Sequence, residues 1–214
     1  MNPELVIFDC DGVLVDTENL TCRVISLNLN RHGFAITPED THTLFAGGTI
    51  ASAGAEAVRR GASLPADWVD QMYTEIFDAL RQGVDVIDGV TELIDLLAQN
   101  GVAMAIASNG PVAKMEITLR PSGLWDAFAG RIYSGHDHTP KPAPDMLLRI
   151  MEDAEVSAAQ TVMIDDMPSG CQAARAAGIT CFGYVADGDP ARIDGTGAIP
   201  APSMTAIINA LKLR

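Results

Sequence analysis

The stretch LVIFDCDGVLVD, running from Leu5 to Asp16, decides the fold. Four apolar residues, Leu5 to Phe8, lead into Asp9 and Asp11 and then Gly12. A short apolar run without alternation reads as a strand covered on both faces, the kind found in parallel sheets. Asp9 and Asp11 stand at i and i+2, which project to one side of an extended chain. Two carboxylates at a strand tip can share a metal ion and divide the work of nucleophile and proton donor. An ordinary Asp-Gly turn is the plainer alternative. An EF-hand loop fails, because it needs Gly at the sixth position and Glu at the twelfth, and counting from Asp9 these are Leu14 and Leu20.

The same design recurs downstream. Val102–Ala107 ends in Ser108-Asn109-Gly110, and Thr161–Ile164 ends in Asp165-Asp166. Ile132–Tyr133 and Cys181–Val185 are further short apolar runs. Helical patterns lie between them. Val90, Leu93, Ile94 and Leu97 keep helical spacing before Gly101. Pro144 suits the first turn of a helix carrying Leu147, Ile150 and Met151, and Ser169 is a candidate cap for a helix closed by Gly178. Alternating strands and helices predict an α/β fold, a Rossmann-like doubly wound parallel sheet. In such sheets ligands bind outside the carboxyl ends of the strands, so the polar tips predict one shared site.

One interval breaks the rhythm. Between Asp16 and Asp85 there are helical stretches and no convincing strand. Leu20, Val24 and Leu27 share one face, Thr49–Arg60 forms another stretch, and Trp68, Met72 and Ile76 share a third. The expected organisation is a core domain of residues 1–15 and 86–214, with an inserted helical cap domain, 16–85, overhanging the site. Residues 186–202, rich in Ala, Asp, Gly and Pro, read as a long surface connection.

The 214 residues are 48% apolar and 20% charged, enough to bury a core and too apolar for a disordered chain. No stretch approaches the roughly 18 apolar residues needed to span a bilayer. Fourteen Lys and Arg against 28 Asp and Glu give a net charge of -14, which argues against nucleic-acid and anionic-membrane partners. An anionic substrate would then need local cations. The N-terminus shows no basic region followed by a cleavage site, so no secretory signal is read. Cys10, Cys22, Cys171 and Cys181 form no CxxC pair and read as reduced thiols in a cytoplasm.

Further residues carry potential chemistry. Asp165 and Asp166 are adjacent like charges, which a hard cation such as Mg²⁺ would relieve; an exposed acidic turn is the alternative. Lys141, in Lys-Pro-Ala-Pro-Asp, is either a stiffly held ammonium or a surface lysine. Ser108 and Asn109 can offer a hydroxyl and backbone N–H groups to an anion, or simply form a turn. His136 and His138 lack a third partner that would point to zinc.

With these residues in place, the chain resembles the haloacid dehalogenase (HAD) superfamily. The resemblance rests on Asp9-Cys10-Asp11-Gly12-Val13-Leu14-Val15-Asp16, Ser108-Asn109, Lys141-Pro142 and Ile164-Asp165-Asp166-Met167-Pro168-Ser169-Gly170. The helical insertion is similar to the cap of the subfamily containing phosphoglycolate phosphatase and β-phosphoglucomutase. The resemblance implies that Asp9 is a nucleophile forming an aspartyl-phosphate and that Asp11 is the acid and base. It implies that Ser108 and the Asn109 backbone bind the phosphoryl group and that Lys141 holds nucleophile and phosphate. It also implies a Mg²⁺ ion on Asp166, on Asp165 directly or through water, on the Asp9 carboxylate and on the Asp11 backbone carbonyl. In the cap loop Phe45-Ala46-Gly47-Gly48-Thr49-Ile50, Gly47 and Gly48 become candidate substrate contacts. β-Phosphoglucomutases carry a lysine and an arginine where this chain has Ala46 and Ile50, which weighs against mutase chemistry.

Ser108-Asn109-Gly110-Pro111, Lys114-Met115, Ser134-Gly135 with Asp137, and Lys141-Pro142 with Pro144 are similar to sugar-phosphate phosphatases of the 6-phosphogluconate phosphatase type. That likeness makes Lys114 a candidate substrate contact. The expected activity is Mg²⁺-dependent hydrolysis of a small phosphorylated metabolite by a cytoplasmic monomer, with a homodimer as the alternative state. The competing functions are a phosphohexomutase, a haloacid dehalogenase, which has no use for Asp11, and a non-enzymatic phospho-acceptor.

Overall fold

The computed structural model describes residues 2–45, 50–186 and 188–213. The chain divides into two compact units, Met1–Val15 with Asp85–Arg214, and Asp16–Val84. The first opens with β1 (Leu5–Phe8). The second holds α1 (Thr17–Arg31), α2 (Pro38–Phe45), α3 (Ile50–Arg59) and α4 (Trp68–Gln82). The first unit then continues with α5 (Val90–Gln99), β2 (Ala103–Ser108), α6 (Val112–Leu119), β3 (Ile132–Ser134) and α7 (Asp145–Ala154). It closes with β4 (Thr161–Asp165), α8 (Pro168–Ala176), β5 (Thr180–Tyr184), β6 (Ile199–Ala201) and α9 (Met204–Leu211).

The six strands form one parallel sheet in the order β3-β2-β1-β4-β5-β6. Every residue of β1 and β4 is buried, as their unbroken apolar runs require. Side chains alternate between the faces. Leu5, Ile7, Ala105, Ala107 and Met163 pack with Met146, Leu147 and Ile150 of α7 and Ala173 and Ala174 of α8. Phe8 points to the opposite face and meets Phe128 edge-on, with ring centroids 5.6 Å apart. Ile106, Val162 and Ile164 are buried as well. The chain runs from β1 outward through β2 and β3, then returns to β4 on the other side of β1. The tips of β1 and β4 therefore border the topological switch point, where open α/β sheets bind ligands.

Beyond β1 the backbone turns tightly. The Leu14 and Val15 N–H groups both donate to the Cys10 carbonyl, at 2.9 and 3.2 Å. Val15 then forms an antiparallel bridge with Val86, and the Ile87 N–H donates to the Leu14 carbonyl at 3.1 Å. The chain thus leaves and re-enters the first unit side by side.

The helical unit has its own core of Ile25, Leu29, Ala53, Ala57, Trp68, Met72, Ile76 and Leu80. Its buried face on α1 differs from the face expected from Leu20, Val24 and Leu27: Leu27 is 65% exposed, and Cys22, Ile25, Asn28 and Leu29 are buried instead. The reason is a polar residue on the inner face. Asn28 accepts from the Trp68 indole at 2.7 Å and donates to Glu75 at 2.9 Å, so a buried amide is satisfied.

Two local readings change. Ser169 lies inside α8, whose cap residue is Met167; the Met167 N–H donates to Asp165 Oδ1 at 2.9 Å. The expected surface connection at 186–202 contains a 3₁₀ turn, Pro190–Ile193, and the strand β6. Pro200 is tolerated there because β6 is an edge strand.

Gly170 shows how tightly α8 is seated. A Cβ there would stand 1.8 Å from Asp165 Oδ2. Asp165 is fully buried and cannot swing aside. Gly170→Ala is therefore expected to destabilise the protein by about 1–3 kcal/mol, as overpacking does, read as a lowered midpoint in urea unfolding.

Candidate active site

Four loops at the carboxyl edge of the sheet bring the polar residues together. Asp9 follows β1, Ser108 ends β2, Lys141 lies between β3 and α7, and Asp165 ends β4 with Asp166 next in the chain. Lys141 Nζ lies 2.8 Å from Asp9 Oδ1 and 2.6 Å from Asp165 Oδ2. The Lys141 side chain is 4% exposed, Asp9's 10% and Asp165's 0%. This is a buried, hydrogen-bonded triad, with one ammonium between two carboxylates.

The backbone of Lys141 is held as firmly. Asn109 Nδ2 donates to the Lys141 carbonyl at 3.0 Å, and the Lys141 N–H donates to Asn109 Oδ1 at 2.8 Å. The peptide between Lys141 and Pro142 is cis. Asn109 was expected to offer only backbone to an anion; its side chain proves to be the bracket for Lys141. Ser134 supports the neighbouring turn. Its hydroxyl donates to the Gly110 carbonyl at 2.7 Å and accepts from the His136 N–H at 3.0 Å. The Gly110 N–H in turn donates to Ser108 Oγ at 3.1 Å.

Asp11 stands apart from the triad. Its Oδ2 lies 2.8 Å from Lys114 Nζ on α6, and both side chains are about one-third exposed, at 31% and 27%. Two lysines therefore stand at different depths. Lys141 lies at the floor and Lys114 at the rim.

Asp9, Asp165 and Asp166 each offer a carboxylate oxygen, and these oxygens lie within 4.8 Å of one another. Asp166 packs against Gly12, where a Cβ would stand 2.6 Å from Asp166 Oδ2; the positive φ of Gly12, +79°, also favours glycine. Asp166 Oδ1 is buried without a hydrogen-bond partner among the described residues. An orphaned carboxylate oxygen beside two further carboxylates is the donor set of a hard divalent cation. The residues fit Mg²⁺ on that ground.

The electrostatics agree. Burial first, then Asp9 and Asp165, push the Asp166 carboxyl up to about 8, with Arg192 opposing. Burial likewise pushes Asp9 up to about 7; Lys141 pulls it down, and Asp165 and Asp11 push it up. Burial works against the Lys141 ammonium, yet Asp9 and Asp165, by charge and by hydrogen bonds, outweigh it and hold Lys141 above the usual lysine range.

Asp9, Lys141, Ser108, Asn109, Asp165 and Asp166 thus converge at the strand tips, with Asp11 and Lys114 paired beside them. Gly47 and Gly48 lie outside the described residues. Sequence reading missed the side-chain role of Asn109 and the support from Ser134. The only signal was their place at strand tips: Asn109 directly follows β2 and Ser134 ends β3.

Residues 6–184 match the family profile described as haloacid dehalogenase-like hydrolase. The 6-phosphogluconate phosphatase of Escherichia coli (strain K12) is 26% identical over 187 residues, covering 86% of this chain and 83% of that protein. A phosphorylated carbohydrates phosphatase of Thermotoga maritima is 26% identical over 215 residues, covering 98% of each. Among solved structures, a HAD family hydrolase from Deinococcus radiodurans with bound phosphate and sodium superposes with a TM-score of 0.85 at 28% identity, covering 97% of this chain and 94% of that one. On its fold, its site and these likenesses, the chain belongs to the haloacid dehalogenase-like hydrolases.

Proposed function

We propose that this protein is a Mg²⁺-dependent phosphatase that hydrolyses a small phosphorylated metabolite, with sugar phosphates the favoured class. The observation that carries the reading is the buried Lys141 ammonium shared by Asp9 and Asp165. It fixes one oxygen of Asp9 and leaves the other to attack. The names of the two curated relatives, both phosphatases, support hydrolysis. Ile50 begins α3 with an apolar side chain, in keeping with a chain that does not carry the arginine of a mutase.

In this reading Asp9 attacks the phosphorus of the ester and the bond to the leaving oxygen breaks. Asp11 gives that oxygen its proton, and the alcohol departs. The Asp11 carboxylate then takes a proton from water as the water oxygen attacks the phosphorus of the aspartyl-phosphate. Inorganic phosphate leaves and Asp9 is restored. Splitting a slow hydrolysis into two steps is the gain of covalent catalysis. Ser108 binds a phosphoryl oxygen with its hydroxyl, and the Asn109 backbone adds an N–H. Lys141 holds the attacking carboxylate and draws charge from the phosphoryl group. Asp9, Asp165, Asp166 and the Asp11 carbonyl would hold Mg²⁺, which supplies further positive charge against the phosphoryl oxygens. Lys141, Lys114 and the cation are local answers to the net charge of -14. The compartment we propose is the cytoplasm, which suits four buried free thiols.

The testing experiment measures phosphate release from a panel of sugar phosphates, 6-phosphogluconate, phosphoglycolate and nucleotides, with Mg²⁺ or with EDTA. Release confined to a few sugar phosphates and lost in EDTA is the expected result. Conversion of β-glucose 1-phosphate with no phosphate release would overturn the reading in favour of a mutase. Asp9→Asn is expected to abolish phosphate release from every substrate while the far-UV circular dichroism stays unchanged.

A second prediction concerns pH. Asp9 and Asp166 are raised in the folded protein to about 7 and about 8, from a value of 3.8. Between pH 4 and pH 8 the folded chain therefore holds more protons than the unfolded chain, and stability falls as pH rises. Thermal unfolding in EDTA should show a higher midpoint at pH 5.5 than at pH 8. Added Mg²⁺ should raise the midpoint more at pH 8, where the ligands are ionised, than at pH 5.5.

A further inference from the structure

Lys114 stands on the third residue of α6, and the direction of its side chain is set by the rest of that helix. Met115 and Leu119 are buried, which fixes the rotation of α6 against the sheet. The Lys114 N–H donates to the Pro111 carbonyl at 3.0 Å, so the residue belongs to a formed first turn. The Thr118 hydroxyl donates to the Lys114 carbonyl at 3.2 Å. From this platform the ammonium reaches Asp11 Oδ2 at 2.8 Å, across 103 residues of sequence.

Gly110 lies between the parties. A Cβ there would stand 3.5 Å from Ser108 Oγ, 3.9 Å from Asp11 Oδ2 and 3.9 Å from the Lys114 Cδ. The phosphoryl donor Ser108, the acid Asp11 and Lys114 thus surround one small residue. The three carboxylates that converge on the cation site are Asp9, Asp165 and Asp166. The side chain of Asp11 is drawn to a different cation, on the rim.

We infer that Lys114 is a positioning residue for Asp11, holding its carboxyl on the leaving-group side of the site and away from the other three carboxylates. The inference rests on the phosphatase reading above. A partly exposed ion pair of this kind contributes little to stability, so its consequence is orientation. Proton transfer needs the acid within hydrogen-bond reach of the leaving oxygen. Without Lys114, the charge-assisted hydrogen bond to Asp11 Oδ2 is lost and the carboxyl is held less firmly toward the rim. The role differs from that of a substrate contact, which is what the sequence had suggested for this lysine.

The test uses substituted phenyl phosphates that differ in leaving-group basicity. The series runs from 4-nitrophenyl phosphate to phenyl phosphate, with an alkyl phosphate and 4-carboxyphenyl phosphate added. The quantity read is kcat/KM, which reports the step in which the leaving group departs. A nitrophenolate departs without help; phenolate and alkoxide need a proton. Lys114→Met is expected to lower kcat/KM about tenfold or more for the phenyl and alkyl esters, part of the ~10²–10⁴-fold a positioned acid provides. For 4-nitrophenyl phosphate the change should stay within about threefold, so the dependence on leaving-group basicity steepens. Lys114→Arg should restore the wild-type dependence, because it returns a cation to the same side. Asp11→Asn should show the same steepened dependence, and adding Lys114→Met to it should change little further.

An equal loss on every ester, or no loss on any, would overturn the positioning role, because neither follows the need for a proton. A loss confined to 4-carboxyphenyl phosphate would overturn it in favour of direct contact with an anionic leaving group. Absence of phosphate release by the wild-type protein from any ester would overturn the phosphatase reading itself. A flat dependence with wild-type turnover intact overturns the role of Lys114 alone.

Discussion

Lys141 places one ammonium between two carboxylates at the bottom of the site, and the surrounding architecture serves that contact. A lysine 4% exposed is costly unless its charge is matched, and here Asp9 and Asp165 match it from two neighbouring strands. The match requires β1 and β4 to lie side by side, which the sheet order provides. It requires the loop carrying Lys141 to be held from outside the triad, which the two Asn109 hydrogen bonds do. It also requires α8 to pass close over Asp165, which only a glycine at 170 permits. Sheet order, loop anchoring and helix seating are thus conditions on one buried ion triad.

Charge is partitioned by depth. At the floor, carboxylates outnumber the single ammonium, and the surplus falls on Asp166, whose Oδ1 has no hydrogen-bond partner among the described residues. At the rim, Asp11 meets an equal and opposite charge. The floor residues fit a cation, while the Asp11 carboxylate already faces one in Lys114. Two aspartates separated by one residue can therefore perform different chemistry, because each faces a different environment.

Much of this was legible in the sequence because it resides in short-range pattern. The buried strands announced themselves as apolar runs, and their polar tips announced the site, since a parallel sheet places all its carboxyl ends together. The readings that failed share another cause. The inner face of α1 was misjudged because Asn28 is polar by composition and buried through its bonds to Trp68 and Glu75, which lie 40 and 47 residues away in sequence. β6 was missed because three residues including a proline carry no strand signal; the edge of the sheet supplies it. The side chain of Asn109 was read locally as part of a turn, whereas its partner is the backbone of Lys141, 32 residues on. Lys114 reaches Asp11 across 103 residues. Periodicity reports which residues are hidden from water; it does not report which distant polar group they meet.

The paired crossing at Val15 and Val86 has an evolutionary meaning. Because the outgoing and returning segments bond to each other, the 69 residues of Asp16–Val84 form, topologically, a single loop with adjoining ends. Loop-closure entropy grows only slowly with length, so the sheet is nearly indifferent to what hangs between those two residues. The inserted helices can be lengthened, shortened or exchanged for unrelated sequence with little effect on the register of β1 and its aspartates. The sheet with its ion triad and the inserted unit can therefore diverge at different rates, with the pair of bonds at 14–15 and 86–87 acting as a junction for modular exchange.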